Sequence, residues 1–217
     1  MSYALREGVT FCTAGKRHFF LDRSANRYFG LSASDEQRFC ALRAMDAQAR
    51  ADVPLSYALA QILCAGGNAQ LIPFTPESLP RRGMEHLAPV RPRLTLVWRA
   101  AIAYLLVKRA LRRRATSEIL KALESGRRAK GTAMPDDRML GELGAAFRRV
   151  QVWTSQDQCL PLSLACARMA DAMGYRVTIV FGITPRPFGA HCWVQAGDHV
   201  INDDLARVEA FTQIYAQ

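Results

Sequence analysis

Residues 159–173 read CLPLSLACARMADAM. Leu162, Ala165, Met169 and Ala172 recur at helical spacing along one stripe, so the run reads as a helix. Pro161 is tolerated only in a first helical turn, where its missing N–H costs no bond, and this sets Cys159 at the helix N-terminus. Gly174 supplies the C-terminal cap. The next stretch, RVTIVFGI from Arg176 to Ile183, places Val177, Ile179, Phe181 and Ile183 on one side and reads as a strand. Thr184 to Gly189 is a proline-containing loop. AHCWVQ (190–195) is a second strand, Gly197-Asp198 a turn, and HVIND (199–203) a third strand. A thiol at a helix start, followed by strands that carry a histidine and an aspartate, frames the fold and the chemistry together.

A thiol attacks a carbonyl as its thiolate, and a helix N-terminus favours that anion. The thiol needs a base, and the base an orienting acid. These requirements select Cys159, His191 and Asp203. A three-residue hairpin loop centred on Gly197 sets His191 opposite Asp203, with both side chains on one face. A two-residue Gly197-Asp198 turn sets Asp204 there instead; Asp203 is favoured and Asp204 is the alternative. Candidate oxyanion donors are the Cys159 backbone N–H and the side chains of Gln158 and Gln156. Trp193 shares a face with His191, as a wall of the site or as core. Cys192 alternates to the other face, where it should be buried and inert. A zinc site from Cys159, His191, Cys192 and His199 would need both faces of one strand, which argues against metal.

Upstream, Leu94 to about Glu124 has helical spacing, with a face of Leu94, Val97, Ala101, Tyr104 and Leu105, and is interrupted at Arg112–Arg114. Ser125 to Asp137 is a polar break, and Met139 to Trp153 is another helix. Residues 73–93 hold prolines at 73, 76, 80, 89 and 92, which block helices and sheet pairing and mark a linker. The N-terminal part offers three short strands, VTFCT from Val9, HFFLD from His18 and RYFGL from Arg27, with turn residues between them. A helix follows from Ser32 or Ser34, with Asp35 and Glu36 in its first turn, to about Asp46. A second helix begins near Val53-Pro54, carries Leu55, Leu59, Ile62 and Leu63, and ends at Gly66-Gly67. A meander followed by helices fits a small winged helix-turn-helix module. The expected organisation is α+β: a module over 1–78, a linker over 79–93 and a second domain over 94–217.

The net charge is +10, from 29 basic and 19 acidic residues. Such an excess suits an acidic partner: nucleic acid, a membrane surface or an acidic peptide. Leu55–Leu63 carries no Arg or Lys, which argues against a helix that reads DNA. The cysteines at 12, 40, 64 and 166 sit among apolar residues and read as small buried hydrophobes. The N-terminus lacks the apolar region of a signal peptide, and the run Leu94–Val107 is too short to span a bilayer. The expected location is therefore the cytoplasm, with reduced thiols.

The run from Cys159 to Asp204, with CLPLSLA, VFGITPRPFGAHCWV and VINDD, resembles the leader peptidases of lasso-peptide biosynthesis, which belong to the transglutaminase-like cysteine peptidases. HFFLDRSANRYFGLS (18–32) resembles the peptide-recognition element of the same pathway, so the chain looks like a fusion of both. The resemblance implies a papain-like Cys159–His191–Asp203 triad that hydrolyses the leader–core bond of a precursor peptide through a thioester. It implies that the leader adds as a strand beside Arg27–Leu31, contacting Tyr28, Phe29, Leu55 and Leu59. It also implies an asparagine-synthetase-like cyclase partner that consumes ATP, while the peptidase itself needs no cofactor. Rival readings are an acyl transferase with the same triad, a winged-helix regulator and a recognition protein with a dead triad.

Overall fold

The computed structural model describes residues 3–46, 49–66, 71–87, 89–128, 133–154 and 158–217. The chain is α+β and divides into two compact units, Met1–Thr75 and Pro76–Gln217.

The first unit is built mostly of short strands: β1 (Tyr3–Leu5), β2 (Val9–Ala14), β3 (Arg17–Asp22) and β4 (Arg27–Gly30), then helices α1 (Ala33–Ala44) and α2 (Tyr57–Ile62), then β5 (Leu63–Ala65). Strands β2, β3 and β4 form the expected antiparallel meander, with β4 at an edge. The β2–β3 turn places Gly15 and Lys16 at positive φ, the geometry that matches the twist of a tight hairpin. The Asp22 carboxylate accepts the N–H groups of Ser24 and Ala25 and rounds the next turn. Ser32 caps α1 by accepting the Asp35 N–H. Phe11 and Phe20 stack, and Phe39 of α1 meets both rings edge-on. Leu42, Leu59 and Ile62 close the same core.

The second helix and two cysteines of this unit depart from expectation. The second helix does not run from Pro54 to the glycines: Ser56 caps it, it spans only six residues, and the chain then extends as β5 to pair with β1. Its expected end at Gly67 lies outside the described residues. The strand-rich architecture does not establish a winged helix-turn-helix. Cys40 and Cys64 are exposed, because Cys40 lies a helical step of about 100° from buried Phe39 and Cys64 lies on β5.

The second unit contains α3 (Leu94–Leu111), α4 (Thr116–Arg128), α5 (Asp137–Gln151) and α6 (Cys159–Ala172). A four-stranded antiparallel sheet follows, from β6 (Thr178–Pro185), β7 (Phe188–Ala196), β8 (His199–Val200) and β9 (Thr212–Ala216), in the order β8-β7-β6-β9; α7 (Leu205–Val208) lies between β8 and β9. Helix α6 packs on α3 and on β7. The proline-rich segment is laid along the sheet: the Arg81 and Arg82 N–H groups donate to the Asp198 carbonyl, and Ser78 O accepts from Gln195 and Gln213.

Here too some boundaries differ from expectation. The loop expected over 184–189 is a tight turn, since β6 and β7 pair out to Pro185 and Phe188. The third strand is shortened to His199 and Val200, followed by one more backbone bond from the Ile201 N–H to the Val194 carbonyl. Helix α4 continues through the start of the expected polar break; residues 129–132 of that break lie outside the described residues. Helix α3 buries Leu96, Ala100, Tyr104 and Val107. Leu94 and Leu105, expected inside, are 77 % and 61 % exposed beside Trp98, Ile102 and Leu106. A helix that is apolar all round offers more than one stripe of correct spacing, so periodicity cannot choose the buried one. Among the described residues, no helix is long and apolar enough to cross a membrane.

Candidate active site

Cys159 is the first residue of α6, and Gln158 is its N-cap. Gly174, at φ +84°, follows the helix end. His191 lies on β7 opposite Gly182 of β6. A side chain at Gly182 would strike Trp193 at 2.8 Å and Phe211 at 2.9 Å, so the glycine leaves these rings room to close around the histidine. His191 is 5.0 Å from Phe211 and 6.1 Å from Trp193, ring centre to ring centre. Trp193 is fully buried and anchored by its Nε1–H on Gln195 Oε1. It belongs to the core with Val180, Val200 and Val208 and does not line the cleft.

Cys159, His191 and Asp203 meet in a cleft of about 400 Å³ lined also by Gln151, Asn202 and Arg207. Asp203 Oδ2 lies 2.5 Å from His191 Nε2. The other ring nitrogen is left for Cys159, which lines the same cleft. Asp203 Oδ1 accepts the Asp204 N–H and faces Arg207 Nη1 at 3.9 Å. The hairpin is not the three-residue loop that favoured Asp203: β7 and β8 pair as Ala196 with His199 and Gln195 with Val200. Continued, that register would bring Asp204 opposite His191. The ladder stops instead, and Asp203 comes to the ring.

The electrostatics follow from this geometry. Burial pushes the Cys159 thiol up, but the hydrogen bond and charge of His191, with backbone bonds at Cys192 and Leu160, more than reverse it and leave the thiol below its ordinary value. Burial likewise pulls the His191 ring down, and its hydrogen bonds to Asp203 and Cys159 override this and raise it to about 9. Each partner favours the charged form of the other, thiolate beside imidazolium. Cys192, fully buried next to the pair, is pushed well above its ordinary value by burial and by the charge of Cys159. It stays a neutral thiol.

Of the candidate oxyanion donors, Gln156 lies outside the described residues. Gln158 Oε1 accepts from the Tyr104 hydroxyl at 3.0 Å, which in turn accepts from Lys108. The candidate peptide-contact residues lie in the first unit. Tyr28 and Phe29 are half-buried on edge strand β4, with Phe29 stacked on Phe20. Leu59 is turned into the core, and Leu55 packs against it.

Ligand atoms of His18, Glu36 and Cys40 come within 4.8 Å of one another, the spacing of a metal site. Both ring nitrogens of His18 are already engaged, one by Glu36 and the other by the Arg43 guanidinium. A fixed cation at that distance opposes a second one, and the cluster serves as a polar staple between β3 and α1.

Sequence reasoning missed Asn202, Ser163, Arg207 and Phe211. The signal for the first was present: an amide in the apolar run VIND is 7 % exposed and must therefore be hydrogen-bonded. Comparison with curated proteins and with solved structures found no match. The family model of the transglutaminase-like superfamily matches residues 101–216, a span that holds Cys159, His191 and Asp203, and the chain belongs to that superfamily.

Proposed function

We propose that the second unit is a cysteine peptidase in which Cys159 is the nucleophile, His191 the acid and then the base, and Asp203 the orienting carboxylate. The observation that carries the reading is the convergence of Cys159, His191 and Asp203 on one cleft, with the Asp203 carboxylate 2.5 Å from the His191 ring. The thiolate attacks the peptide carbonyl, His191 gives its proton to the leaving amine, and the thioester is then hydrolysed by water that His191 deprotonates. Superfamily membership is compatible with this chemistry and equally with acyl transfer to an amine.

The substrate in this reading is a lasso-type precursor peptide, whose leader adds as a strand beside edge strand β4 near Phe29. The trimmed core passes to a cyclase that consumes ATP. Support for this finer assignment comes from the motifs of the two halves and from the place of β4 as an edge strand of the three-stranded sheet among the described residues.

Cys159→Ala should abolish cleavage of a cognate precursor and leave leader binding intact, read by mass spectrometry of the products and by fluorescence anisotropy of a labelled leader. Continued cleavage by the variant would remove Cys159 from the mechanism. Adding hydroxylamine separates hydrolysis from acyl transfer: a hydroxamate product in place of the free acid marks an amine-accepting enzyme.

A further inference from the structure

One side chain touches all three elements that bear the proposed triad. Asn202 Oδ1 accepts the Val194 N–H of β7 at 2.7 Å, and its Nδ2 donates to Ser163 Oγ of α6 at 2.9 Å. Ser163 Oγ donates in turn to the Cys192 carbonyl of β7 at 2.9 Å. Ser163 stands one helical turn after Cys159, Cys192 is next to His191, and Asn202 is next to Asp203. Every group in the chain is buried.

The position of the amide oxygen matters most. Pairing of Ala196 with His199 makes Val194 and Ile201 the next hydrogen-bonded pair of the ladder. Half of that pair is made: the Ile201 N–H donates to the Val194 carbonyl at 2.9 Å. The other half is replaced, because the Val194 N–H goes to the Asn202 side chain and not to the Ile201 carbonyl. That carbonyl turns towards α5 and packs where a side chain at Gly144 would stand, 2.6 Å from its Cβ position. The amide of Asn202 thus stands in for the backbone and ends the strand one residue early.

We infer that Asn202 is a positioning residue that breaks the β7–β8 ladder so that Asp203, and not Asp204, reaches His191, and that with Ser163 it holds this segment in register with the helix that carries Cys159. This rests on the proposed triad but reaches past it, to how the acid is chosen between two adjacent aspartates. Asn suits the task because it accepts on one side and donates on the other; Asp could not donate to Ser163, and Ala would do neither.

The test uses the full chain and needs no substrate. Alkylation of Cys159 by iodoacetamide reports its thiolate fraction, and mass spectrometry of the peptide containing Cys159 separates it from exposed Cys40 and Cys64. Asp203→Ala removes the support of the imidazolium, so alkylation near about pH 6 should slow by about ten-fold or more, a factor of ten for each unit by which the thiol rises. Asn202→Ala should slow it nearly as much, and the double variant Asn202→Ala/Asp203→Ala no more than Asp203→Ala alone. Asp204→Ala should leave the rate unchanged. An Asn202→Ala rate equal to that of the parent overturns the inference, as does a double variant slowed by the product of the two single effects.

If Asn202→Ala does not fold, Ser163→Ala substitutes for it. That variant keeps the Val194 anchor and should show a smaller slowing, likewise absent in the Asp203→Ala background. A parent chain that cuts no peptide but follows this pattern defeats the peptidase reading and leaves the positioning role standing. A chain that cuts its peptide while Asn202→Ala alkylates like the parent does the reverse.

Discussion

His191 and Cys159 form one titrating unit, and its charge state sets the pH range in which the site can work. The thiolate forms as pH rises through the lowered Cys159 value, and the imidazolium is lost as pH rises through about 9. Activity should therefore climb on the acid side below the ordinary thiol range and fall near about pH 9. A kcat/KM profile against a precursor peptide measures both limbs. Asp203→Asn removes the carboxylate charge that raises the ring, so the alkaline limb should move down while kcat falls by about 10²-fold or more. Asp204→Asn should stay within about three-fold of the parent, because an exposed carboxylate adds little through solvent. Equal losses in the two variants would remove Asp203 from its special place.

Much of this geometry was legible in the residues. Pro161 can occupy only a first turn, so Cys159 had to begin its helix, and alternation along AHCWVQ put His191 and Trp193 on one face. The choice between Asp203 and Asp204 was not legible by register counting. The turn is the two-residue one, which by simple pairing selects Asp204. Asp203 reaches the ring because the Asn202 side chain interrupts the pairing, and a count along an ideal ladder contains no such interruption.

Among the elements, the contact between α5 and the segment after β8 carries a sharp steric demand. A methyl at Gly144 would lie 2.6 Å from the Ile201 carbonyl and from Met84. Gly144→Ala should cost about 1–3 kcal/mol, visible as a lower melting temperature. Because Ile201 directly precedes the Asn202–Asp203 pair, activity should fall along with it. A variant with unchanged melting would show that this segment is free to give way.

Helix boundaries set by caps were readable, as with Ser32 at α1 and the Gly174 end of α6. The conversion of Leu63–Ala65 into a strand was not, since it depends on β1 some sixty residues away. Strand β9 is short and mixed in character, and its place against β6 is a property of the assembled sheet.

Across the whole molecule, the proposed function, a peptide-binding unit fused to a peptidase, predicts a split in kinetic constants. A precursor that carries its leader should have a much lower KM than a short peptide spanning the cut site, with kcat changed by only about three-fold, because tethering raises local concentration without altering the chemistry. Adding free leader in trans should raise the KM for the full precursor and leave the short peptide untouched. Steady-state assays with the three peptides check this, and equal KM values for long and short substrates would detach the first unit from substrate capture.

Helix α3 turns Leu94, Trp98, Ile102, Leu105 and Leu106 outward, and no acidic residue interrupts the chain between Glu85 and Glu118. In dilute buffer, the repulsion among Arg91, Arg93, Lys108, Arg109 and Arg112–Arg114 keeps such faces apart. At 0.1 M salt that repulsion is largely screened beyond about 10 Å, while the oily stripe stays as attractive as before. Purified protein should thus turn cloudy as ionic strength is raised, opposite to the salting-in of most basic proteins, and light scattering of a Trp98→Lys/Leu105→Lys variant should stay flat.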